Sequence, residues 1–332
     1  MYSGTGRAAP HLDHVEETEM TKVIAVVGAT GAQGGGLVRA ISSDPEGGFA
    51  ARAITRDAGS EAAKALAALP NVEVVEADVA DEASLERAFS GVHGAFCVTF
   101  FWVDFSAENE LRHARNMASA ASATGVEHVI WSTLEDTRRW VTDDRMPTLQ
   151  GKYKVPHFDG KEDADAAFRD AGVPTTFLRT AFFWENFIYF GLGPKRDENG
   201  ELVMSFPLGD AKLPAIASED IGKTAYAIFR RGDELIGKTI SIAGEHLSGS
   251  ELAAKIGNAI GEPVTFHDVD PDVYRGFGFP GADELGNMFQ FKRDFNDYYC
   301  GARDVQVART LNPSLQSFDD WLARHKSQIP VD

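Results

Sequence analysis

The chain has 332 residues with 50 acidic against 32 basic side chains, and its net charge of −18 argues against direct nucleic-acid binding, because a phosphate backbone would be repelled. Hydrophobic residues make up 43% and charged residues 25%, the balance of an ordinary globular protein large enough for two unequal lobes; no window has the uninterrupted apolar length of a membrane span. With Cys97 and Cys300 the only cysteines, neither a disulfide framework nor a cysteine-built zinc site is expected, and a reducing cytoplasm is the simplest setting.

Residues 1–21 carry acids and histidines but no apolar stretch, so they read as a disordered extension rather than a signal peptide. Residues 23–27 are an apolar run of strand length. They drop into Gly28-Ala29-Thr30-Gly31-Ala32-Gln33-Gly34, after which residues 35–40 read as a helix start. Gly28 permits a tight turn off the strand, Gly31 lets backbone approach a pyrophosphate, and Gly34 lets the helix pack close to the sheet. The phosphates would lie on the N–H groups at the positive end of that helix.

β-like runs then alternate with helical patterns. Strands are expected at 51–56, 72–77, 94–99, 128–133 and 174–179, with helices at 61–69, after the cap Asp81, at 108–124 and at 161–171. This alternation predicts an α/β, Rossmann-type doubly wound parallel sheet over residues 22–186, with a ligand across the carboxyl ends of its strands. Residues 187–332 change character, with Gly-, Pro- and Phe-rich segments at 190–214 and 276–281. Helices are expected from Ser218 as cap, from Ser248 and from Ser317. The prediction is a smaller C-terminal α+β lobe that covers the nucleotide and shapes a pocket.

The end of the second strand reads Thr55-Arg56-Asp57. Arg56 is placed to clamp an adenosine 2′-phosphate through charge-assisted hydrogen bonds, which favours NADP(H). Asp57, one residue further, is the alternative ribose acid of an NAD site. Asp78 and Val79 are placed to meet the adenine, and Val98, Thr99 and Phe100 the pyrophosphate-to-nicotinamide half.

A typical short-chain dehydrogenase carries a proton-transferring tyrosine with a lysine four residues later. None of the seven tyrosines here has that lysine; His157-Phe158-Asp159-Gly160-Lys161 stands in its place, with Ser132 at suitable spacing before it. Three readings remain. Lys161 binds a cofactor ribose in a protein whose chemistry is lost; or His157, with Lys161 and Ser132, is a working acid, since imidazole titrates near neutral pH; or His157 only packs locally.

These segments, together with Val98-Thr99, Ser132-Thr133-Leu134-Glu135, Phe183-Trp184-Glu185-Asn186 and Phe279-Pro280-Gly281-Ala282, make the chain similar to the NmrA-like family of atypical short-chain dehydrogenases, over about residues 22–326. The late elements most resemble the NADPH-sensor branch. The resemblance implies contacts to NADP(H) from residues 28–33, Arg56, Asp78, Val79, Lys161, Phe183, Trp184, Glu185 and Asn186. It further implies redox or nucleotide-ratio sensing through a protein partner, with a cofactor-dependent change of conformation or of oligomeric state such as a homodimer. Reductases of quinones or dyes among the relatives also lack the tyrosine, so an NADPH-dependent oxidoreductase is the alternative.

Overall fold

The computed structural model describes residues 20–331, so the expected extension lies outside the described residues except for Met20 and Thr21. The first half forms β1 Lys22–Val27, α1 Ala32–Ser42, β2 Phe49–Thr55, α2 Glu61–Ala67, β3 Val72–Glu76, α3 Glu82–Phe89, β4 Gly94–Cys97, α4 Ala107–Ala123, β5 His128–Thr133, α5 Pro156–Asp170 and β6 Thr175–Arg179. The second half adds β7 Phe182–Phe183, α6 Asn186–Tyr189, β8 Lys195–Arg196, β9 Leu202–Phe206, β10 Lys212–Ile216, α7 Ser218–Arg231 and β11 Thr239–Ser241. It ends with β12 Glu245–Ser248, α8 Gly249–Ile260, β13 Val264–Asp268, α9 Pro271–Arg275, α10 Ala282–Asp294, α11 Asn296–Ala302, α12 Val305–Leu311 and α13 Phe318–His325.

The central sheet runs β11-β6-β5-β4-β1-β2-β3 with every pair parallel. β4 and β5 are buried along their whole length, as strands covered by helices on both faces must be, which explains their continuous apolar runs. The direction of winding changes between β1 and β4. That is where a doubly wound sheet opens a crevice at its carboxyl edge.

One core, with Leu37, Ile41, Ile221 and Ile228, lies under α1 and α7. A second, with Phe89, Met117, Trp131 and Phe168, lies under α3, α4 and α5 on the opposite face. The third fills the smaller lobe with Trp184, Phe206, Phe289 and Trp321, and it draws in Phe158 from α5. Two three-stranded sheets, β12-β10-β7 and β13-β9-β8, frame this lobe. α7 and β11 lie after residue 187 yet return to the central layer, β11 against β6 and α7 against α1.

The structure corrects three local expectations. α5 starts at Pro156 rather than at Lys161, because proline suits the first helical position and the Asp159 carboxylate accepts the N–H groups of Lys154 and Val155. Ser218 does not cap α7; its own N–H is taken by Glu185 Oε2 at 3.0 Å, so the partner arrives from the residue just before α6. The second half also contains more helices than the three read from sequence. α6, α9, α11 and α12 have seven residues or fewer, and the buried stripe of α10 is interrupted by Glu284, Asn287, Gln290 and Lys292.

Candidate functional site

The glycine turn caps the carboxyl end of β1. Gly28 takes φ +65°, the left-handed region that makes glycine the natural choice there. A Cβ on Gly34 would stand 2.5 Å from the Gly28 carbonyl oxygen, so α1 meets the turn too closely for any side chain at that position. The N-cap of α1 is Gly31, which has no side chain to accept the first-turn N–H groups. Gly28, Thr30, Gly31 and Ala32 are exposed while Ala29 is buried beneath them. An open helix N-terminus over a backbone-lined cradle suits a pyrophosphate.

Arg56 is exposed just beyond β2 and makes no ion pair among the described residues. Asp57 is turned to local work: its Oδ1 accepts the Gly59 N–H at 2.8 Å. Asp78 likewise accepts the Ala80 N–H at 2.9 Å, and Val79 is half-buried beside it. Val98 leans on the glycine turn, with Cγ1 3.4 Å from where a Gly28 Cβ would be. Thr99 is buried, and Phe100 is exposed with its edge toward Phe190 of the other lobe, ring centroids 6.4 Å apart.

Lys161 is buried, and its ammonium is fully engaged. Nζ donates to Thr99 Oγ1 at 2.7 Å and to the Thr99 carbonyl at 3.3 Å, and it pairs with Glu110 Oε1 at 3.0 Å. The Thr99 hydroxyl in turn donates to Glu110 Oε1 at 2.6 Å. Glu110 Oε2 is buried with no partner. Ser132 Oγ donates to Gln33 Oε1 at 2.8 Å, so it locks the glycine turn to the end of β5 rather than meeting His157.

His157 is one helical turn before Lys161 and shares its face of α5. Its ring lies among Trp102, Phe101 and Phe158, with centroids 5.0, 5.8 and 4.7 Å away. Its Nδ1 and its backbone N–H both meet Glu284 Oε1 of α10, the backbone bond at 2.8 Å, while Nε2 has no protein partner among the described residues. Burial, helped by Lys292 and Lys161 and opposed by Glu110 and Asp159, pushes the imidazole down to about 3, whereas burial lifts Glu284 well above the carboxylate range. Behind Glu284 lies a pocket of about 230 Å³, walled by Phe101, Phe105, Leu149 and Pro280.

The Phe183–Asn186 segment divides. Phe183 and Asn186 are half-buried at the lobe junction. Trp184 is fully enclosed between Phe318 and Trp321, so its indole packs the lobe and presents no face to a ligand. Glu185 is held at both oxygens, by the Ser218 N–H and by Trp321 Nε1 at 3.1 Å.

Glu110 and Glu284 are the residues that reading the sequence missed. Glu110 had a signal, since it occupies the apolar stripe Ala107, Glu110, Ala114, Met117 of α4, where an acid demands a buried partner. Glu284 had none of comparable strength. Among the described residues no helix is long and apolar enough to cross a membrane, and no three His, Cys, Asp or Glu side chains converge as a metal site.

Comparison with known proteins agrees with this layout. The profile of the NmrA-like family matches residues 20–322. An NmrA-like family domain-containing oxidoreductase of Aspergillus flavus is 26% identical over 84% of this chain and 86% of its own length. An NAD(P)H azoreductase of Xenophilus azovorans is 26% identical over 82% of this chain and 88% of its own. The negative transcriptional regulator NmrA, solved in complex with NADP and also with NAD, superposes with a TM-score of 0.75 at 23% identity, covering 92% of this chain and 95% of that one. With the family profile spanning both lobes, the chain belongs to the NmrA-like family.

Proposed function

We propose that the protein binds NADP(H) across the carboxyl edge of its central sheet and reduces a planar, electron-poor acceptor such as a quinone or an azo compound. The observation that carries this reading is the pairing on one face of α5: Lys161 anchored beside Thr99, and His157 with a free Nε2 against an aromatic wall. The cradle around Gly34 and the exposed Arg56 fit a phosphorylated dinucleotide. Bound in its reduced form, the dinucleotide supplies the hydride. For its part, the chain holds the nucleotide with residues 28–34 and Arg56, stacks the acceptor on Phe101, Trp102 and Phe105, and delivers a proton from His157 Nε2. Lys161 reaches a ribose hydroxyl by giving up its longest bond, that to the Thr99 carbonyl. The azoreductase relative supports this reaction class. Both cysteines are free, which suits a reducing cytoplasm.

A second reading, a nucleotide-ratio sensor acting through a protein partner or a homodimer, is favoured by the exposed rings of Phe100, Tyr189, Phe190 and Phe277 and by the likeness to a transcriptional regulator. Calorimetric titration with NADPH, NADP⁺ and NADH, followed by NADPH oxidation with menadione and an azo dye, separates the two. Sustained turnover supports the reductase. Tight, redox-discriminating binding without turnover transfers the assignment to the sensor.

A further inference from the structure

We propose that Glu284 holds the proton that His157 delivers, making the α10 carboxyl group the proton reservoir of the site and the adjoining pocket its route to solvent. This rests on the reductase reading, but its geometry is independent of the acceptor.

The imidazole is gripped at one end only. Glu284 Oε1 receives the His157 backbone N–H at 2.8 Å and contacts Nδ1 of the same residue, so the carboxyl group fixes both the ring and the helix start that carries it. Both side chains are almost wholly buried. Neither has a counter-charge that would stabilise a separated ion pair at this spot. Lys161 belongs to Glu110 and Thr99, and Lys292 of α10 is enclosed by the rings of Phe158, Phe182, Phe289 and Tyr299. Asp159 of α5, Asp283 of α10 and Glu110 of α4 add negative charge near Glu284, whereas near His157 the same Glu110 and Asp159 oppose Lys161 and Lys292, the latter itself lowered by burial to about 7. Burial is the largest influence on both groups and disfavours ionisation of each. The pair is then a neutral imidazole beside a neutral carboxylic acid, the acid O–H donating to Nδ1 and the remaining ring proton standing on Nε2.

That arrangement solves a difficulty for His157. An imidazole held near 3 carries no spare proton at neutral pH, and losing the Nε2 proton outright would leave an imidazolate. With Glu284 protonated, the transfer balances. The Nε2–H bond breaks as the acceptor takes that proton, the Glu284 O–H bond breaks as Nδ1 takes its proton, and Glu284 is left as carboxylate. The acceptor gains this proton and the hydride of the reduced dinucleotide. Glu284 then regains a proton through the pocket it lines, where Asp283 stands beside it, and the imidazole returns to its starting tautomer after turning or re-exchanging its proton. Glu284 touches no reacting atom, so it is a positioning residue and proton source acting through His157.

Histidine side-chain nitrogen NMR on the full chain tests the resting state, with the His157 signals assigned by their loss in His157→Gln. The expected result is a neutral His157 protonated on Nε2 and not titrating between pH 8 and 5. A Nδ1-protonated tautomer, a charged ring at pH 7, or titration near 6.5 overturns the proposal without reference to any substrate. In the second arm, NADPH oxidation with menadione is compared in wild type and Glu284→Gln. Glutamine fills the same space but carries no transferable acid proton, so kcat should fall by about 10²-fold with the KM for NADPH unchanged. An unchanged kcat and solvent isotope effect in Glu284→Gln also overturns it. If wild type turns over neither menadione nor an azo dye, the reductase reading fails, and the tautomer alone decides whether Glu284 holds the proton.

Discussion

Arg56 is the residue on which the proposed preference for NADP(H) turns. It stands exposed past β2, while its neighbour Asp57 accepts the Gly59 N–H through Oδ1. A guanidinium on a 2′-phosphate makes paired, charge-assisted hydrogen bonds, and replacing it leaves that phosphate facing water. Arg56→Ala is therefore expected to weaken NADPH binding by roughly 1.5–3 kcal/mol and to leave NADH little changed, as read by calorimetric titration. Equal losses for both nucleotides would overturn the 2′-phosphate assignment. Local spacing made the placement of Arg56 past β2 and of His157 and Lys161 on one face of α5 legible, because a strand end and one helical turn are short-range geometry. Glu284 was not legible. It meets His157 across 127 residues of chain, and nothing in the local pattern of α10 says which distant group its carboxyl will face.

At the scale of elements, the glycine turn depends on how closely α1 is pressed to its neighbours. Gly36 of α1 lies against the Glu219 backbone, and a Cβ on Gly222 of α7 would fall on the backbone of Gly36 and Leu37, well inside van der Waals contact. The two helices thus meet backbone to backbone through small residues. Gly222→Ala is expected to force them apart and to destabilise the fold by about 1–3 kcal/mol, the usual range for overpacking. It should also loosen NADPH binding, since α1 carries the proposed phosphate cradle. A lower denaturation midpoint with an unchanged slope, measured with and without NADPH, checks both parts. An unchanged midpoint would show that α1 and α7 are not so tightly seated. The parallel sheet itself was readable because buried strands and amphipathic helices alternate along the chain. The smaller lobe was not, because most of its strand pairings join strands far apart in sequence. β10 lies between β7 and β12, and β7 has only two residues, too few for any periodicity to register.

Across the whole molecule, the response to acid is set by buried groups that pull in opposite directions. His128 opens β5, packed against Phe229 of α7. Its Nε2 donates to Thr176 Oγ1 at 2.9 Å, because that hydroxyl already donates to the Leu235 carbonyl; Nδ1 is left buried without a partner. A proton there would find no acceptor, and burial holds the ring down to about 4. The unfolded chain takes a proton at the ordinary 6.5, so stability is whole above 6.5 and is lost as pH falls toward 4, by about 3 kcal/mol. Asp165 opposes this. It is lifted by burial to about 6, so the native state prefers its protonated form and gains stability as pH falls from 6 to the ordinary 3.8. A single variant isolates the first of these contributions. His128→Gln keeps a donor for Thr176 and cannot be charged, so its stability relative to wild type should rise steadily from pH 6.5 to 4, reaching about 3 kcal/mol by urea denaturation. A difference that stays constant over that range would show that the native protein accommodates a protonated His128, and that the orphaned Nδ1 finds an acceptor when the ring is charged.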